Sequence, residues 1–284
     1  MRAPTPKVVL ISGCSSGIGR AAADRLARRG HVVYATARRA ESVDDLERWA
    51  AAVGSNARVD QLDVVEAQDG RRVVGRILDE CGRIDVLVNN AGFGQAGSVE
   101  DIDLERWRRQ FEVNLFGTIA LTQAVLPSMR AAHSGRVINV SSVVAHVTLP
   151  FMGAYAATKH ALDAVSKSLR MEVRRWGIRV ILVEPGPIAT EFRANVRRNA
   201  DEPAATASAY ADAYAVLSAA SRGWRELAEA PADRVALDIQ RAVESRRPRP
   251  RYRITAVARW VPAAAFLLGD RLTDTLALRS VGLR

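Results

Sequence analysis

Three side chains lie close enough in the sequence to act on one carbonyl or alcohol group. Tyr155 and Lys159 in "YAATK" are four residues apart, so on a helix they would share one face. A tyrosine hydroxyl ordinarily has a pKa of about 10, and a neighbouring ammonium group stabilises its phenolate. Ser142 ends an apolar run and would offer its hydroxyl to a substrate oxygen that gains negative charge. These residues indicate proton transfer to or from that oxygen.

A glycine-rich turn near the start of the chain could bind a phosphate. The stretch "SGCSSGIGR" at 12–20 lies between an apolar run and an amphipathic stretch, which predicts a strand, a tight turn and a helix. Glycines permit positive φ, and the N–H groups at a helix N-terminus bind a pyrophosphate. The spacing G-x-x-x-G-x-G differs from the usual G-x-G-x-x-G. The candidate cofactor contacts in the turn are Gly13, Ser15, Ser16, Gly17, Ile18 and Gly19.

The residues after the second apolar run favour one nicotinamide cofactor over the other. An acidic side chain there would bind the ribose 2′-hydroxyl, whereas Arg38, followed by Arg39, suits a 2′-phosphate. Ser15 would donate a further hydrogen bond to that phosphate. We therefore expect NADP(H) to be preferred over NAD(H). Asp63, after the third run, would meet the adenine edge, although an aspartate after a strand is also an ordinary turn residue.

Short apolar runs alternate with helical patterns along most of the chain. Apolar residues on both faces of such runs suit buried parallel strands. The pattern predicts a doubly wound α/β fold of the Rossmann type, with a mostly parallel seven-stranded sheet between two layers of helices, as a single domain over 1–284. Strands are predicted at 8–12, 31–36, 58–62, 86–89, 137–141, 179–183 and 251–255, and helices at 18–29, 41–52, 66–81, 103–132, 153–176 and 231–245.

Two regions near the C-terminus depart from this alternation. Residues 187–225 are irregular and follow a strand end, where ligands bind in such sheets, so we predict a substrate lid there. Residues 256–284 form a predicted helical extension that begins with the apolar stretch "AVARWVPAAAFLLG". Arg259 and Pro262 interrupt this stretch, which is shorter than the roughly 20 apolar residues of a membrane span. It could cap the pocket, mediate dimerisation or lie on a membrane.

The combined motifs resemble the short-chain dehydrogenase/reductase family. They are the glycine turn, "NNAG" at 89–92, Asn114 in "VNLFG", Ser142 with "YAATK", and "PGPIAT" at 185–190. They occur in the family's order and spacing over roughly residues 7–190, with Ser12 in place of the commoner threonine. Within the family, the chain looks more like hydroxysteroid and retinol dehydrogenases than like the shorter 3-oxoacyl carrier-protein reductases.

The resemblance implies a role for each matched residue. Tyr155 would be the general acid/base, and Lys159 would lower its pKa and bind the nicotinamide ribose. Ser142 would orient the substrate oxygen, and Asn114 would support a water-linked proton relay to Lys159. Tyr155 and Lys159 would also contact the cofactor, together with Val64, Asn90, Ala91, Gly92, Pro185, Gly186, Ile188 and Thr190. The substrate would contact Ser142, Tyr155, Phe93, Val144 and Met152, in a pocket also bounded by Val143, His146, Leu149, Phe151 and Ile188.

Composition and charge argue against several other classes of protein. The 284 residues carry a net charge of +10, but the arginines are spread along the chain without a nucleic-acid recognition motif. Two cysteines and an N-terminus without the apolar core of a signal peptide predict a cytoplasmic protein, with membrane association possible through the C-terminal helix. No cysteine or histidine cluster has metal-ligand spacing, so no metal is expected.

Three functions remain after these exclusions. The first is an NADP(H)-dependent oxidoreductase that acts on a lipophilic ketone, aldehyde or alcohol of steroid or retinoid type. The alternative is a 3-oxoacyl-thioester reductase of lipid or polyketide synthesis, and the third is a non-enzymatic NADP-binding regulator. The intact set of Ser142, Tyr155 and Lys159 disfavours the regulator. Helices 103–132 and 153–176 carry an extra apolar face, which predicts a homodimer or homotetramer.

Replacing Arg38 by alanine tests the predicted cofactor preference. Arg38→Ala should weaken NADPH binding about tenfold, because it removes a guanidinium from the 2′-phosphate, and should leave NADH binding unchanged. Fluorescence titration with both cofactors measures the two dissociation constants. An unaltered ratio of the two constants would contradict the assignment.

Overall fold

Short runs of branched apolar residues form one fully parallel sheet. The computed structural model describes residues 5–192, 196, 208–223 and 230–283. Within this part, seven strands lie in the order β3-β2-β1-β4-β5-β6-β9, and each pairs in parallel with its neighbours. The strands are β1 Val8–Ile11, β2 Val32–Ala37, β3 Ala57–Gln61, β4 Val86–Asn89, β5 Gly135–Val140, β6 Ile178–Glu184 and β9 Arg251–Arg253; β7 Ile188–Ala189 pairs with β8 Ala230–Pro231 outside this sheet.

Helices cover both faces of the sheet. Alternate residues of β1 point to opposite sides, so Val9 and Ile11 belong to one buried cluster and Val8 and Leu10 to the other. This arrangement confirms the predicted doubly wound α/β fold. The helices are α1 Gly17–Arg28, α2 Ala40–Val53, α3 Ala67–Cys81, α4 Leu104–Phe111, α5 Gly117–Ala131, α6 Gly153–Glu172, α7 Ala211–Gly223, α8 Ala232–Glu244 and α9 Ala256–Ser280.

The predicted single helix over 103–132 is wrong. Helices α4 and α5 are separated by a π-helical turn at Glu112–Phe116, in which one backbone turn is wider than in an α-helix. Asn114 lies in this turn. Its side-chain oxygen accepts a hydrogen bond from the Phe93 N–H, and its side-chain nitrogen donates one to the Phe93 carbonyl. The wider turn places Asn114 so that it can make these bonds, which a local helical pattern does not reveal.

Two other predicted boundaries also need correction. Helix α6 ends at Glu172 rather than at 176, and a short 3₁₀ turn follows at Arg174–Trp176 before Gly177 reverses the chain with φ +68°. The last strand stops at Arg253 rather than at 255 because the Thr255 side chain caps α9, accepting a hydrogen bond from the Ala258 N–H.

Helix α9 packs against the segment at 143–145, which follows the carboxyl end of β5. Helix α9 is interrupted at Gly269, whose backbone is not helical. Of the predicted lid over 187–225, the structure describes β7 and α7 but not 193–195, 197–207 or 224–225, so much of the predicted lid lies outside the described residues. Among the described helices, none combines the length and hydropathy that a membrane crossing requires.

Candidate active site

The glycine turn after β1 brings the chain against the loop that follows β4. Gly13 and Gly17 have positive φ angles of +74° and +59°, which side-chain-bearing residues rarely adopt. A Cβ on Gly13 would lie 2.7 Å from the Ala91 Cα, and one on Gly19 would lie 2.2 Å from the Gly13 carbonyl oxygen. The turn therefore needs glycine for its backbone conformation and for close packing.

The N-terminus of α1 fits a phosphate-bearing cofactor. Its N-cap Ser16 makes no capping hydrogen bond to the described residues, and its first turn contains no acidic side chain. The N–H groups of this turn and the positive end of the helix dipole therefore suit an anion. Thr190 lies beside the turn, since a Cβ on Gly17 would be 3.3 Å from the Thr190 Cγ2.

Polar side chains join the glycine turn to the "NNAG" segment. The Ser12 hydroxyl accepts hydrogen bonds from the backbone N–H groups of Asn90 and Ala91, both at 3.1 Å. The Asn90 amide donates to the carbonyls of Ser12 and Gly13, at 3.1 and 2.8 Å. The buried Asn89 side chain donates to Asn139 of β5 and to Thr122 of α5. "NNAG" thus fixes the shape of the turn, and Ser12 performs the bonding that a threonine hydroxyl would.

The predicted adenosine contacts lie at the ends of β2 and β3. Arg38 is exposed directly after β2, where its guanidinium is accessible to a ligand. The Asp63 carboxylate accepts a hydrogen bond from the Val65 N–H at 3.1 Å, which is the ordinary turn arrangement. Val64 packs against α5, because a Cβ on Gly117 would lie 2.7 Å from the Val64 carbonyl oxygen.

Helix α6 places Tyr155 and Lys159 on one buried face, next to Ser142 after β5. The Lys159 ammonium donates to the Val140 carbonyl at 2.9 Å and lies 5.7 Å from the centre of the Tyr155 ring. The Ser142 hydroxyl accepts from the Val144 N–H at 3.3 Å and is also hydrogen-bonded to Tyr155. The three predicted catalytic side chains therefore converge.

Burial controls the titration of this pair. Burial raises the pKa of Tyr155 to about 12, and the hydrogen bond from Ser142 opposes that rise. Burial lowers the pKa of Lys159 to about 8. Burial thus shifts the Tyr155 pKa in the opposite direction to the lowering expected from Lys159, because it penalises the charged phenolate.

Asn114 is held rigidly, with one side-chain oxygen and one side-chain nitrogen in use. Its Oδ1 accepts from the Phe93 N–H at 3.0 Å, and its Nδ2 donates to the Phe93 carbonyl at 2.8 Å and to the Thr158 hydroxyl at 3.3 Å. Thr158 directly precedes Lys159 in α6. Asn114 thereby links the β4 loop to the catalytic helix, and a Cβ on Gly92 would lie 3.1 Å from its Oδ1.

An apolar wall surrounds Tyr155, and part of it comes from residues that sequence reasoning missed. The wall consists of Val143, Val144, Tyr155, Ala156 and Ala258, with Val147, Met152, Phe192, Val257 and Val261 packed against it. The Phe192 ring centre is 5.3 Å from that of Tyr155. Three wall residues belong to α9, which therefore borders the site. The only signal for Phe192 in the sequence was its position just after "PGPIAT".

Two residues predicted to bound the pocket have other partners. His146 faces Glu184, with 3.0 Å between Nε2 and the carboxylate, and Arg251, at 3.1 Å. Phe151 adopts a positive φ of 62° and packs edge-on against Tyr210 and Tyr214 of the lid region. Both side chains contact residues that are distant in the sequence, so their position after β5 was not enough to predict which way the side chains point.

Three ionisable side chains near the site lie close enough together to be metal ligands. His146, Asp163 and Glu184 offer ligand atoms within 4.8 Å of one another. The Arg251 guanidinium contacts all three side chains, so a cation already belongs to this cluster.

Cys14, beside the glycine turn, is buried, and its thiol donates to the Ile11 carbonyl. Burial raises the pKa of Cys14 to about 12, which does not suit a nucleophile.

Comparison with known sequences finds related dehydrogenases and reductases. A sequence model described as short chain dehydrogenase matches residues 7–201. The chain is 37% identical over 210 residues to a 3-ketodihydrosphingosine reductase of Bacteroides thetaiotaomicron, covering 74% of this chain and 73% of the relative. It is 37% identical over 278 residues to retinol dehydrogenase 8 of Bos taurus, covering 94% of this chain and 87% of the relative.

Solved structures share this arrangement over most of the chain. A short-chain dehydrogenase from Streptomyces avermitilis superposes with a TM-score of 0.77 and 31% identity, covering 99% of this chain and 98% of the other. The closed form of a serine dehydrogenase complexed with NADP⁺ superposes with a TM-score of 0.73 and 26% identity, covering 86% and 93%.

The lowered pKa of Lys159 predicts a specific pH dependence of stability. Between the folded pKa of about 8 and the ordinary lysine pKa of 10.5, the unfolded chain binds a proton that the folded chain does not, so stability rises with pH. Relative to Lys159→Met, the wild type should gain on the order of 1–3 kcal/mol of unfolding free energy from pH 8 to 10. Urea unfolding at each pH measures this difference.

A second lysine on the same helix provides the control. Lys167→Met removes a half-exposed side chain and should retain the rise. Burial also lowers the pKa of Lys7 to about 8, but Lys7 is present in every protein compared, so its contribution cancels. Parallel curves for the wild type and Lys159→Met would show that Lys159 does not titrate in this range.

Proposed function

This chain belongs to the short-chain dehydrogenase family and is an oxidoreductase that acts on CH–OH groups, and we propose that it transfers a hydride between NADP(H) and a lipophilic ketone, aldehyde or alcohol. The observation that carries the proposal is the convergence of Ser142, Tyr155 and Lys159 against an apolar wall. A hydroxyl pair placed in such a wall suits a substrate with one polar oxygen and an apolar body.

Each catalytic side chain has one task in the proposed reaction. The nicotinamide, when bound, donates or accepts the hydride. In the reducing direction the Tyr155 hydroxyl protonates the substrate oxygen, while the Ser142 hydroxyl donates a hydrogen bond to it. Lys159 holds a positive charge on the same face of α6, where it stabilises the phenolate that Tyr155 becomes. Asn114 positions α6 through Thr158 and supports the proton relay to Lys159.

A nicotinamide dinucleotide is the cofactor, and we assign NADP(H) as the preferred form. Exposed Arg38 follows β2, and Ser15 lies in the glycine turn, so both suit the 2′-phosphate. The serine dehydrogenase structure, which contains NADP⁺, has the same fold over 86% of this chain. The glycine turn and Thr190 would bind the pyrophosphate and carboxamide ends of the cofactor.

The substrate is proposed to be lipophilic because the wall around Tyr155 is apolar on several elements. Val143 and Val144 lie in the segment after β5, and Met152 lies at the start of α6. Val257 and Val261 belong to α9. The two relatives are named for 3-ketodihydrosphingosine and retinol, which carry an oxygen function on a long apolar body. A panel of steroid, retinoid, sphingoid and 3-oxoacyl-thioester substrates, followed by NADPH absorbance, separates this class from the thioester alternative.

Removing the Tyr155 hydroxyl tests the proposed chemistry. Tyr155→Phe keeps the ring and its packing, so the protein should fold and bind NADPH normally, but kcat should fall at least about a thousandfold because the proton donor is missing. NADPH oxidation with the best substrate of the panel gives kcat, and fluorescence titration gives cofactor affinity. Tyr34→Phe, which removes a hydroxyl far from the site, is the matched control. Full turnover by Tyr155→Phe would reject the mechanism.

We propose that two chains associate through α4, α6 and the π-helical turn. Apolar side chains are exposed on these elements, which is unfavourable in a monomer and typical of an interface. They are Leu104, Phe116, Val165 and Met171.

We further propose that α9 rests on an anionic lipid surface. Residues 260–269 contain no charged side chain, and Phe266 and Trp260 are 88% and 69% exposed. Arg259 precedes the stretch, Asp270 and Arg271 follow it, and the chain carries a net charge of +10. An apolar face with tryptophan and arginine at its borders suits the interface of a negatively charged membrane. Since the inner face of α9 borders the site, a lipophilic substrate would enter there.

Polar substitutions on α9 test membrane contact. The double variant Trp260→Ser with Phe266→Ser should bind phosphatidylglycerol vesicles at least about fivefold more weakly than the wild type, because two large apolar side chains no longer enter the lipid. Vesicle sedimentation measures binding, and Val99→Ser, an exposed apolar position outside α9 and the proposed interface, is the control. Equal sedimentation of all three proteins, or loss of a dimer in the double variant without vesicles, would contradict lipid docking.

A further inference from the structure

A buried cluster of charged side chains lies below the candidate site and has no part in the chemistry described so far. Glu184 and Asp163 are almost completely buried, and the Arg251 guanidinium lies between them. Arg251 is 2.7 Å from an Asp163 oxygen and forms an ion pair with Glu184. Arg253 contacts Glu184 at 3.2 Å, and Lys167 contacts Asp163 at 2.5 Å. Among the described residues, Arg251 is the cation that bridges both carboxylates.

The two carboxylates belong to the two elements that must be aligned for hydride and proton transfer. Asp163 lies one turn after Lys159 on α6, so it moves with the catalytic helix. Glu184 is the last residue of β6 and directly precedes Pro185 and Gly186, which begin the loop expected to pass over the nicotinamide. A bridge between them fixes the distance between the helix and the loop.

The strand that carries Arg251 holds the same loop by other contacts. The Ile254 N–H donates to the Glu184 carbonyl at 3.2 Å, and Val143, next to Ser142, donates its N–H to the Pro185 carbonyl at 2.9 Å. A Cβ on Gly186 would lie 2.1 Å from the Thr255 hydroxyl oxygen. The loop is therefore enclosed by β9 on one side and by the Ser142 segment on the other.

Charge balance makes Arg251 difficult to replace. Glu184 and Asp163 bring two negative charges into a buried region, and Arg253 and Lys167 each reach only one of them from a more exposed position. Burial and Arg251 lower the pKa of His146, which favours a neutral imidazole in the cluster. The Nη1 atom of Arg251 makes the contacts with both carboxylates and with the imidazole, and a planar guanidinium holds that atom in place where a flexible lysine ammonium would not.

We propose that Arg251 is a positioning residue that fixes the nicotinamide loop relative to the Tyr155–Lys159 helix. This inference rests on the proposed placement of the cofactor under residues 185–190. It assigns the last strand, which lies beyond the matched family region at 7–201, to the catalytic unit. Misplacement of reacting groups by about 1 Å is enough to slow a reaction roughly a hundredfold.

Substitutions of Arg251 separate positioning from stability. Arg251→Met should raise the NADPH dissociation constant about tenfold and lower kcat about a hundredfold in protein that remains folded. Arg251→Lys should give intermediate values, because an ammonium keeps the charge but bridges poorly. Arg249→Met removes an exposed arginine from the same segment and should match the wild type. Thermal melting reports stability, fluorescence titration reports affinity, and NADPH oxidation reports kcat.

A double variant restores the charge balance of the cluster but does not restore the bridge between the two carboxylates. Arg251→Met combined with Glu184→Gln should recover melting temperature relative to Arg251→Met alone, while NADPH affinity stays about tenfold weak. Recovery of affinity together with stability would overturn the proposal, since charge balance alone would then explain Arg251. The proposal is also overturned if folded Arg251→Met binds and turns over normally, or if neither variant folds.

These experiments distinguish failure of the positioning role of Arg251 from failure of the proposed function. If the wild type binds NADPH but turns over no carbonyl or alcohol in the panel, the proposed substrate class fails. The binding constants of the wild type, Arg251→Met and Arg249→Met still decide the role of Arg251 in that case. If the wild type binds neither NADPH nor NADH, both the cofactor assignment and the positioning role are wrong.

Discussion

All strands of the main sheet run in parallel, so their carboxyl ends meet at one edge, and the active-site arrangement depends on this constraint. The glycine turn follows β1, the "NNAG" segment follows β4, Ser142 follows β5, and the loop at 185–190 follows β6. Residues far apart in sequence become neighbours because each of these strands ends there. Helix α6 then completes the site by crossing this edge with Tyr155 and Lys159 on its inner face.

Burial at this edge gives the polar groups their properties. Desolvation shifts the pKa of Tyr155 upward and that of Lys159 downward, because burial penalises the charged form of each side chain. The same low-polarity surroundings make the Asp163–Arg251–Glu184 cluster costly unless every charge is paired. The chemistry and the rigidity of the site thus have a common physical origin, and the C-terminal strand contributes to both through Arg251.

Local patterns were sufficient to predict the alternation of strands and helices, and they identified Ser142, Tyr155 and Lys159, which the fold brings together. Val and Ile runs with glycine punctuation identified all seven strands of the main sheet within a few residues, because buried parallel strands need apolar residues on both faces. The π-helical turn at Asn114 was missed because its partner, Phe93, is twenty-one residues away. His146 and Phe151 were placed in the pocket for the same reason: their partners come from distant segments.

The sequence by itself determined the order of the elements, the glycine turn, and the types of side chain that can move a proton. These depend on backbone sterics and periodicity, which act over a few residues. Only the tertiary structure decided that Phe192 and α9 enclose Tyr155, that burial dominates the pKa values, and that Arg251 bridges α6 and β6. Such contacts depend on which distant segments meet at the sheet edge, and that is set by packing of the whole chain.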